Sequence, residues 1–355
     1  MSIPPKDPPP AKPAPGDSPA PAAGQWRDPT RPPTSLYATP DGKVMVHAGR
    51  NQVLYITIDR TDLSAGPAHA PNIDRLREIL AKSPIPLGVS PMYYANVTAA
   101  KLADPHVFML FLAGSWPEWC ELWSDSSWEQ GLKAFGEVIK SATVPTYAVC
   151  GSHQFLAASY TGWTWTSVAH VNRAAEPLIA PSDEKARKSL HLPGPSHDGV
   201  TERIGEVGAF PFTPTSSGAS DPLLAGLSGP SWFIEHHHDK VLESRRSSDF
   251  VSLLAPVTDE PFQDTNAKGG DGKPRNHRPV LDRDDRCDVQ LLKLKSDSRI
   301  LYTSQFHPEL SCGQVSGEVP TSGAEGTTDY WKANGHATTL LLNFVKIAQS
   351  FWRRS

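Results

Sequence analysis

Cysteine is scarce in this chain: four residues, Cys120, Cys150, Cys287 and Cys312, are scattered through 355. Spacing this sparse excludes a disulfide-stapled secreted fold and points to reduced thiols, hence to a cytoplasmic protein. Long apolar runs are missing too. No stretch approaches the roughly 18 to 20 residues of a membrane span, and no apolar core of a secretory signal stands near the N-terminus, so no membrane is expected as a partner. Charge of one sign is also lacking. Lys and Arg number 34 against 38 Asp and Glu, a formal net charge of −4, which gives no electrostatic ground for nucleic acid as a partner.

Proline, by contrast, is plentiful, and it is concentrated at the start. Residues 1–35, with "IPPKDPPPAKPAPGDSPAPAAG", cannot bury enough apolar surface to offset their ordering entropy. They read as a Pro/Ala-rich disordered tail, leaving residues 36–355 as one large domain with ample material for a core.

Within that domain apolar periodicity alternates between two and 3.6. "VLYITID" (Val53 to Asp59) is a continuous β-branched run of the kind buried in a parallel strand. Ile73, Leu76, Ile79 and Leu80 follow at helical spacing behind Pro71, which suits a first helical turn. "HVFMLFLAG" (106–114) predicts a second strand, "SWEQGLKAFGEVIKSA" (127–142) a helix, and "PTYAVC" (145–150) a third strand running into a helix. "SWFIEHH", "FVSLLAPV" and "RILYTSQFHPEL" read as later strands, and "ATTLLLNFVKIAQSFW" as a closing helix. Such alternation argues for an α/β domain around a mainly parallel central sheet. Polar, Pro/Gly-rich stretches near 166–202 and 258–285 carry no sustained apolar period and read as insertions.

Cys150 closes an apolar run and is followed at once by small and polar residues, "CGSHQ". On a strand-to-helix turn its side chain projects from the carboxyl edge of the sheet, where ligands of open α/β sheets bind. The helix amides at that edge favour a thiolate and can donate to an oxyanion. Taken alone, the same pattern also describes a buried structural cysteine. Further on, His307 and Glu309 lie two apart, so on an extended backbone their side chains share one side. A carboxylate there can orient an imidazole and stabilise its charged form, the third member of a nucleophile–base–orienter set.

Together "CGSHQ" and "SQFHPEL" resemble the two signature segments of class I glutamine amidotransferases, in the same chain order. "VLYITIDR", "FMLFLAGS", "SWFIEHHHDKV" and "HATTLLLNFVKIA" resemble further segments of that family, so the likeness runs from about Val53 to Ile347 without the insertions. The resemblance implies a flavodoxin-like three-layer sandwich and a Cys–His–Glu triad hydrolysing the side-chain amide of glutamine to glutamate and ammonia. Cys150 would then be the nucleophile, His307 the general base and acid, and Glu309 its orienter. Gln154 would help bind substrate, the amides of Gly151 and of the Gly114–Ser115 loop would hold the oxyanion, and His237 would stand at the site's edge. No cofactor and no metal are implied. No synthetase domain follows, so ammonia would pass to a separate synthetase subunit.

Two departures from the family pattern stand at the turn itself, Ala148 and Ser152 where glycines are usual, and the family's paired glycines become Ala113–Gly114 followed by Ser115-Trp116-Pro117. Alteration of this kind leaves room for two other functions: a stand-alone hydrolase of γ-glutamyl amides or peptides with the same triad, and a degenerate fold kept for binding. "EHHHDK" (235–240) is not read as a metal site, because only His236 and His238 share a strand face and no further ligand is evident. Trp116, Trp119, Trp123 and Trp128 read as core or lid, or as a pocket wall for a larger substrate.

Overall fold

The computed structural model describes residues 37–38, 44–45, 49–115, 126–161, 206–227, 229–237, 241, 246–257, 289–310 and 325–354. The chain divides into two compact units, Met1–Gly49 and Arg50–Ser355. Within the first, β1 (Tyr37–Ala38) pairs antiparallel with β2 (Val44–Met45). The tail over 1–35 and the insertions near 166–202 and 258–285 lie outside the described residues, as do Trp116, Trp119, Trp123 and His238.

The second unit is built on a sheet of nine strands. In chain order they are β3 (Gln52–Thr57), β4 (Gly88–Tyr93), β5 (Val107–Leu112), β6 (Thr146–Val149), β7 (Glu206–Pro214), β8 (Ser231–His237), β9 (Phe250–Pro256), β10 (Leu291–Leu294) and β11 (Leu301–Ser304). Their spatial order is β4-β3-β5-β6-β11-β10-β9-β7-β8. The half from β4 to β11 is parallel, and the half from β11 to β8 is antiparallel. The expectation of a mainly parallel sheet is therefore corrected to a mixed one. The antiparallel half includes two strands that periodicity passed over. β7 carries Pro211 and Pro214, which speak against a strand on local grounds, and β10 is only four residues long.

Among the described residues the α-helices of this unit are α1 (Ala70–Leu80), α2 (Ala99–Leu102), α3 (Ser126–Ser141), α4 (Gly151–Ser159) and α5 (Glu325–Trp352). Alternation along each strand sends side chains to two cores. Val53 and Tyr55 of β3 pack with Ile73, Leu76 and Leu80 of α1 and Leu340, Leu341 and Phe344 of α5. Leu54 and Ile56 face the other way, toward Trp128, Leu132 and Phe135 of α3 and Phe155 and Leu156 of α4. Each such side chain contributes about 1.5–3 kcal/mol by leaving water, and because both faces are covered there, β5 is apolar and buried throughout. Trp128 belongs to this core, its indole N–H donating to the Ile58 carbonyl at 3.1 Å.

Parallel pairing ends β3, β5, β6 and β11 at one edge. Asp59, the Ala113–Ser115 turn, Cys150 and the Gln305–Leu310 segment all emerge there, from strands adjacent in space but up to about 250 residues apart in sequence. Among the described residues no helix is long and apolar enough to cross a membrane.

Candidate active site

Cys150 caps the N-terminus of α4 directly after β6, with φ 49° and ψ −116°. It is the sole non-glycine residue with positive φ among the described residues. A cysteine gains nothing locally from that conformation, which costs of order 1–3 kcal/mol and persists only where surrounding structure enforces it. The enforcement is visible. The Cys150 amide donates to the Ser304 carbonyl at 2.7 Å, sewing the turn to the end of β11, and the Gln154 amide donates to the Cys150 carbonyl at 3.0 Å. The thiol is almost buried and reaches the His236 carbonyl at 3.8 Å.

His307 and Glu309 sit beyond β11 in a turn, so the extended backbone expected for them is corrected. Pro308 supplies no donor to continue the ladder, and the His307 amide instead donates to the Ile234 carbonyl of β8 at 2.8 Å. The side chains still meet: His307 Nδ1 lies 2.8 Å from Glu309 Oε1. Glu309 is wholly buried, and with a carboxylate accepting at Nδ1 the imidazole keeps its proton there. Burial disfavours charge on His307, but the neighbouring Cys150 and Glu309 outweigh it and hold the ring's pKa well above the ordinary imidazole value. Among the described residues the Nε2 atom has no hydrogen-bond partner of regular geometry, and Cys150, ahead of Glu309, is the charge that most raises the ring's pKa.

Gly114 and Ser115 close over this pair. A Cβ built on Gly114 would lie 2.9 Å from His307 Cε1, 3.3 Å from Cys150 Cβ and 3.7 Å from Cys150 Sγ, so thiol and imidazole flank the same bare Cα. A Cβ on Gly151 would lie 2.7 Å from Ser115 Cβ and 2.8 Å from Ser115 N. The loop after β5 and the start of α4 therefore touch backbone to backbone, bringing their amides to the thiol's surroundings. Cys150, His307, Glu309, Gly114, Ser115 and Gly151 are thus gathered at one place.

Gln154 and His237 stand differently. Both are buried, with Gln154 Nε2 donating to Gln305 Oε1 at 3.1 Å and His237 Nε2 lying 3.0 Å from Glu235 Oε2. The part of that segment that meets the thiol is the His236 backbone. Among the described residues, no group of three or more His, Cys, Asp or Glu is placed to hold a metal ion.

Several participants escape sequence reasoning. Ser152, noted there only for not being glycine, is fully buried and donates from Oγ to the Ala113 carbonyl at 2.5 Å. His153 is bonded to Thr303 Oγ1 at 2.8 Å, and burial, aided by the neighbouring His237, lowers its pKa to about 3, so it is neutral packing and no base. Beneath the site runs a register-aligned row, Tyr55–Phe111–Tyr147–Tyr302, across four parallel strands. Burial raises the pKa of Tyr55 and Tyr147, and the charge of Glu309 raises both further.

No protein-family model matches the sequence, and no curated protein matches it. Solved structures with a similar chain path include a glutamine amidotransferase from Methylobacillus flagellatus (14% identity, TM-score 0.46, covering 84% of this chain and 94% of that one). A second is the glutaminase domain of CTPS from Trypanosoma brucei with bound acivicin (13%, 0.45, 81% and 94%). A third is a glutamine amidotransferase from Thermotoga maritima (10%, 0.47, 84% and 98%). At such identities and scores the likeness says nothing about activity.

Proposed function

We propose that this chain is a cysteine-dependent amide hydrolase of the glutamine amidotransferase type, with a flavodoxin-like α/β scaffold, releasing ammonia from the glutamine side chain. The observation that carries this reading is Cys150, held at φ 49° on a strand-to-helix turn beside a His307 that is itself bonded to buried Glu309. Strain at a thiol is a reason to look for chemistry, and the neighbouring imidazole and carboxylate supply it.

The thiolate of Cys150 adds to the carboxamide carbon, and the carbonyl π electrons move to oxygen. Amides of Gly151 and of the Gly114–Ser115 loop face that oxygen as donors. The tetrahedral adduct collapses as imidazolium His307 protonates the leaving nitrogen, giving ammonia and a thioester. Neutral His307 then takes a proton from water, whose oxygen attacks the thioester, and glutamate departs while the thiol is restored. Glu309 keeps the proton on Nδ1 throughout, so that Nε2 faces the thiol. Ammonia released here would serve a separate synthetase subunit.

A glutamine-mimicking diazo-ketone tests the reading. It is expected to label Cys150 stoichiometrically, with ammonia release from glutamine that Cys150→Ala abolishes. A wild-type thiol inert to the reagent, together with no ammonia, would sink the proposal. The altered oxyanion loop, Ala113–Gly114 followed by Ser115 where the family has paired glycines, favours one other substrate class, γ-glutamyl amides or peptides. Faster release from these than from glutamine would select it.

A further inference from the structure

Ser152 stands where the family resembled by this chain has glycine, so its hydroxyl is an addition and needs its own account. It is fully buried at the start of α4, and its Oγ donates to the Ala113 carbonyl at 2.5 Å. Ala113 ends the extension of β5, and its own amide donates to the Ile56 carbonyl of β3 at 2.8 Å. Both peptide planes that flank Ala113 are therefore held, one by β3 and the other by Ser152. The next residue is Gly114, which must lack a Cβ to clear His307 and Cys150, and which consequently has the widest backbone freedom in the loop.

A peptide unit is planar and trans, so the direction of a carbonyl dictates the direction of the N–H on the same unit. Anchoring the Ala113 oxygen fixes the aim of the Gly114 N–H and the point from which the Ser115 amide is launched. A donor at the carbonyl oxygen also polarises the same amide, strengthening its N–H as a donor. An oxyanion hole works because its donors are aimed before charge develops, and a Gly–Ser turn without an anchor would have to be ordered during the reaction.

We infer that Ser152 is a positioning residue for the oxyanion loop, its hydroxyl clamping the Ala113–Gly114 peptide so that the Gly114–Ser115 turn is held in place over Cys150. This rests on the reading of Cys150 as an acyl-accepting nucleophile. The clamp gives the loop, from α4, a preorganisation that its own altered sequence does not supply. The cost of losing glycine at position 152 is small, because the only residue of this turn at positive φ is Cys150 itself.

Two reactions of the full-length protein separate this role from general support of the turn. In acylation by p-nitrophenyl acetate, Sγ adds to a carbonyl carbon, negative charge develops on the carbonyl oxygen, and p-nitrophenolate leaves. In alkylation by iodoacetamide, Sγ displaces iodide from a saturated carbon and no oxyanion forms. Ser152→Ala and, independently, Ser152→Gly are expected to slow acylation about 10- to 100-fold while alkylation stays within about twofold. Ammonia release from glutamine should fall through kcat with KM little changed. Equal slowing of both reactions would mean a damaged elbow and would overturn the inference, as would acylation at the wild-type rate. A wild-type Cys150 that takes neither the acetyl group nor an alkyl group overturns the clamp and the nucleophile together. A wild-type protein acylated and alkylated at Cys150 that releases no ammonia refutes only the glutamine substrate, and the clamp is then judged on the ester.

Discussion

The Cα of Gly114 faces the His307 ring so closely that a Cβ there would lie 2.9 Å from Cε1. The ring has little freedom to yield, because its Nδ1 is bonded to buried Glu309 at 2.8 Å. Gly114→Ala is therefore expected to displace either the imidazole or the loop and to lower ammonia release at least about 100-fold, the scale of a misplaced catalytic group. The melting temperature should move by only a few degrees, since about 1 kcal/mol of strain in a domain this size shifts it little. Steady-state kinetics alongside thermal unfolding would check this, and near-normal turnover would mean that His307 does not act from its present position.

Gly151→Ala meets a different obstacle. Its Cβ would lie 2.7 Å from Ser115 Cβ and 2.8 Å from Ser115 N. The first clash disappears in a Gly151→Ala/Ser115→Gly double variant, but the second is with backbone and does not. The double variant should accordingly recover part, and not all, of the activity lost by Gly151→Ala alone. Residues in contact are expected to be non-additive in this way; strict additivity in the measured rates would contradict the contact with Ser115 Cβ, and full recovery would contradict the contact with its backbone.

The pH dependence follows from His307. Burial lowers its pKa, but Cys150 and Glu309 more than compensate and the value stands well above that of a free imidazole. A group raised in the folded state contributes stability that is fully present below its unfolded value, near 6.5, and is lost as pH rises through the folded value. The leaving nitrogen needs the same proton, so turnover should decline on the alkaline side as His307 loses it. Glu309→Gln removes one of the two charges that raise the value, and both the alkaline limb of the pH–rate profile and the alkaline loss of stability should move toward lower pH. An alkaline limb unmoved by Glu309→Gln would refute this assignment.

Another buried imidazole, that of His69, is structural. His69 Nε2 lies 2.6 Å from Asp59 Oδ2 and its Nδ1 lies 3.1 Å from the Tyr55 hydroxyl, all three residues being buried at the carboxyl end of β3. Asp59→Ala removes the carboxylate that pairs with a buried imidazole, and should cost about 3 kcal/mol of unfolding free energy, the usual scale for breaking a buried pair. Asp59→Asn, which keeps an acceptor, should cost less. Urea denaturation measures both, and a loss below about 0.5 kcal/mol for Asp59→Ala would show the pair to be unimportant for stability.

Much of the scaffold is legible from local pattern alone. The apolar run of β3, the 3.6 spacing of Ile73, Leu76 and Leu80 in α1 and the strand "SWFIEHH" of β8 all form where periodicity places them, because a single face or pair of faces is buried along each. The strand-to-helix turn at Cys150 and the His-x-Glu pair are legible as residue types at a spacing. By itself, then, the sequence determined which segments pack into the core and which residue types of reactive character it carries at the strand ends.

Tertiary structure decided the rest. Half of the sheet is antiparallel, which no strand announces, since pairing direction depends on connections running through distant loops. β7 is a strand despite Pro211 and Pro214 because its neighbours β8 and β9 supply what local propensity withholds. His307 meets Glu309 through a turn, and Cys150 meets His307 only because β6 and β11, some 150 residues apart in sequence, lie side by side in parallel. Ser152 is the sharpest case. Read along the chain it is a missing glycine, and only the approach of the Ala113 carbonyl from another strand makes it a hydrogen-bond donor with a task, since a contact between distant segments leaves no periodicity in either.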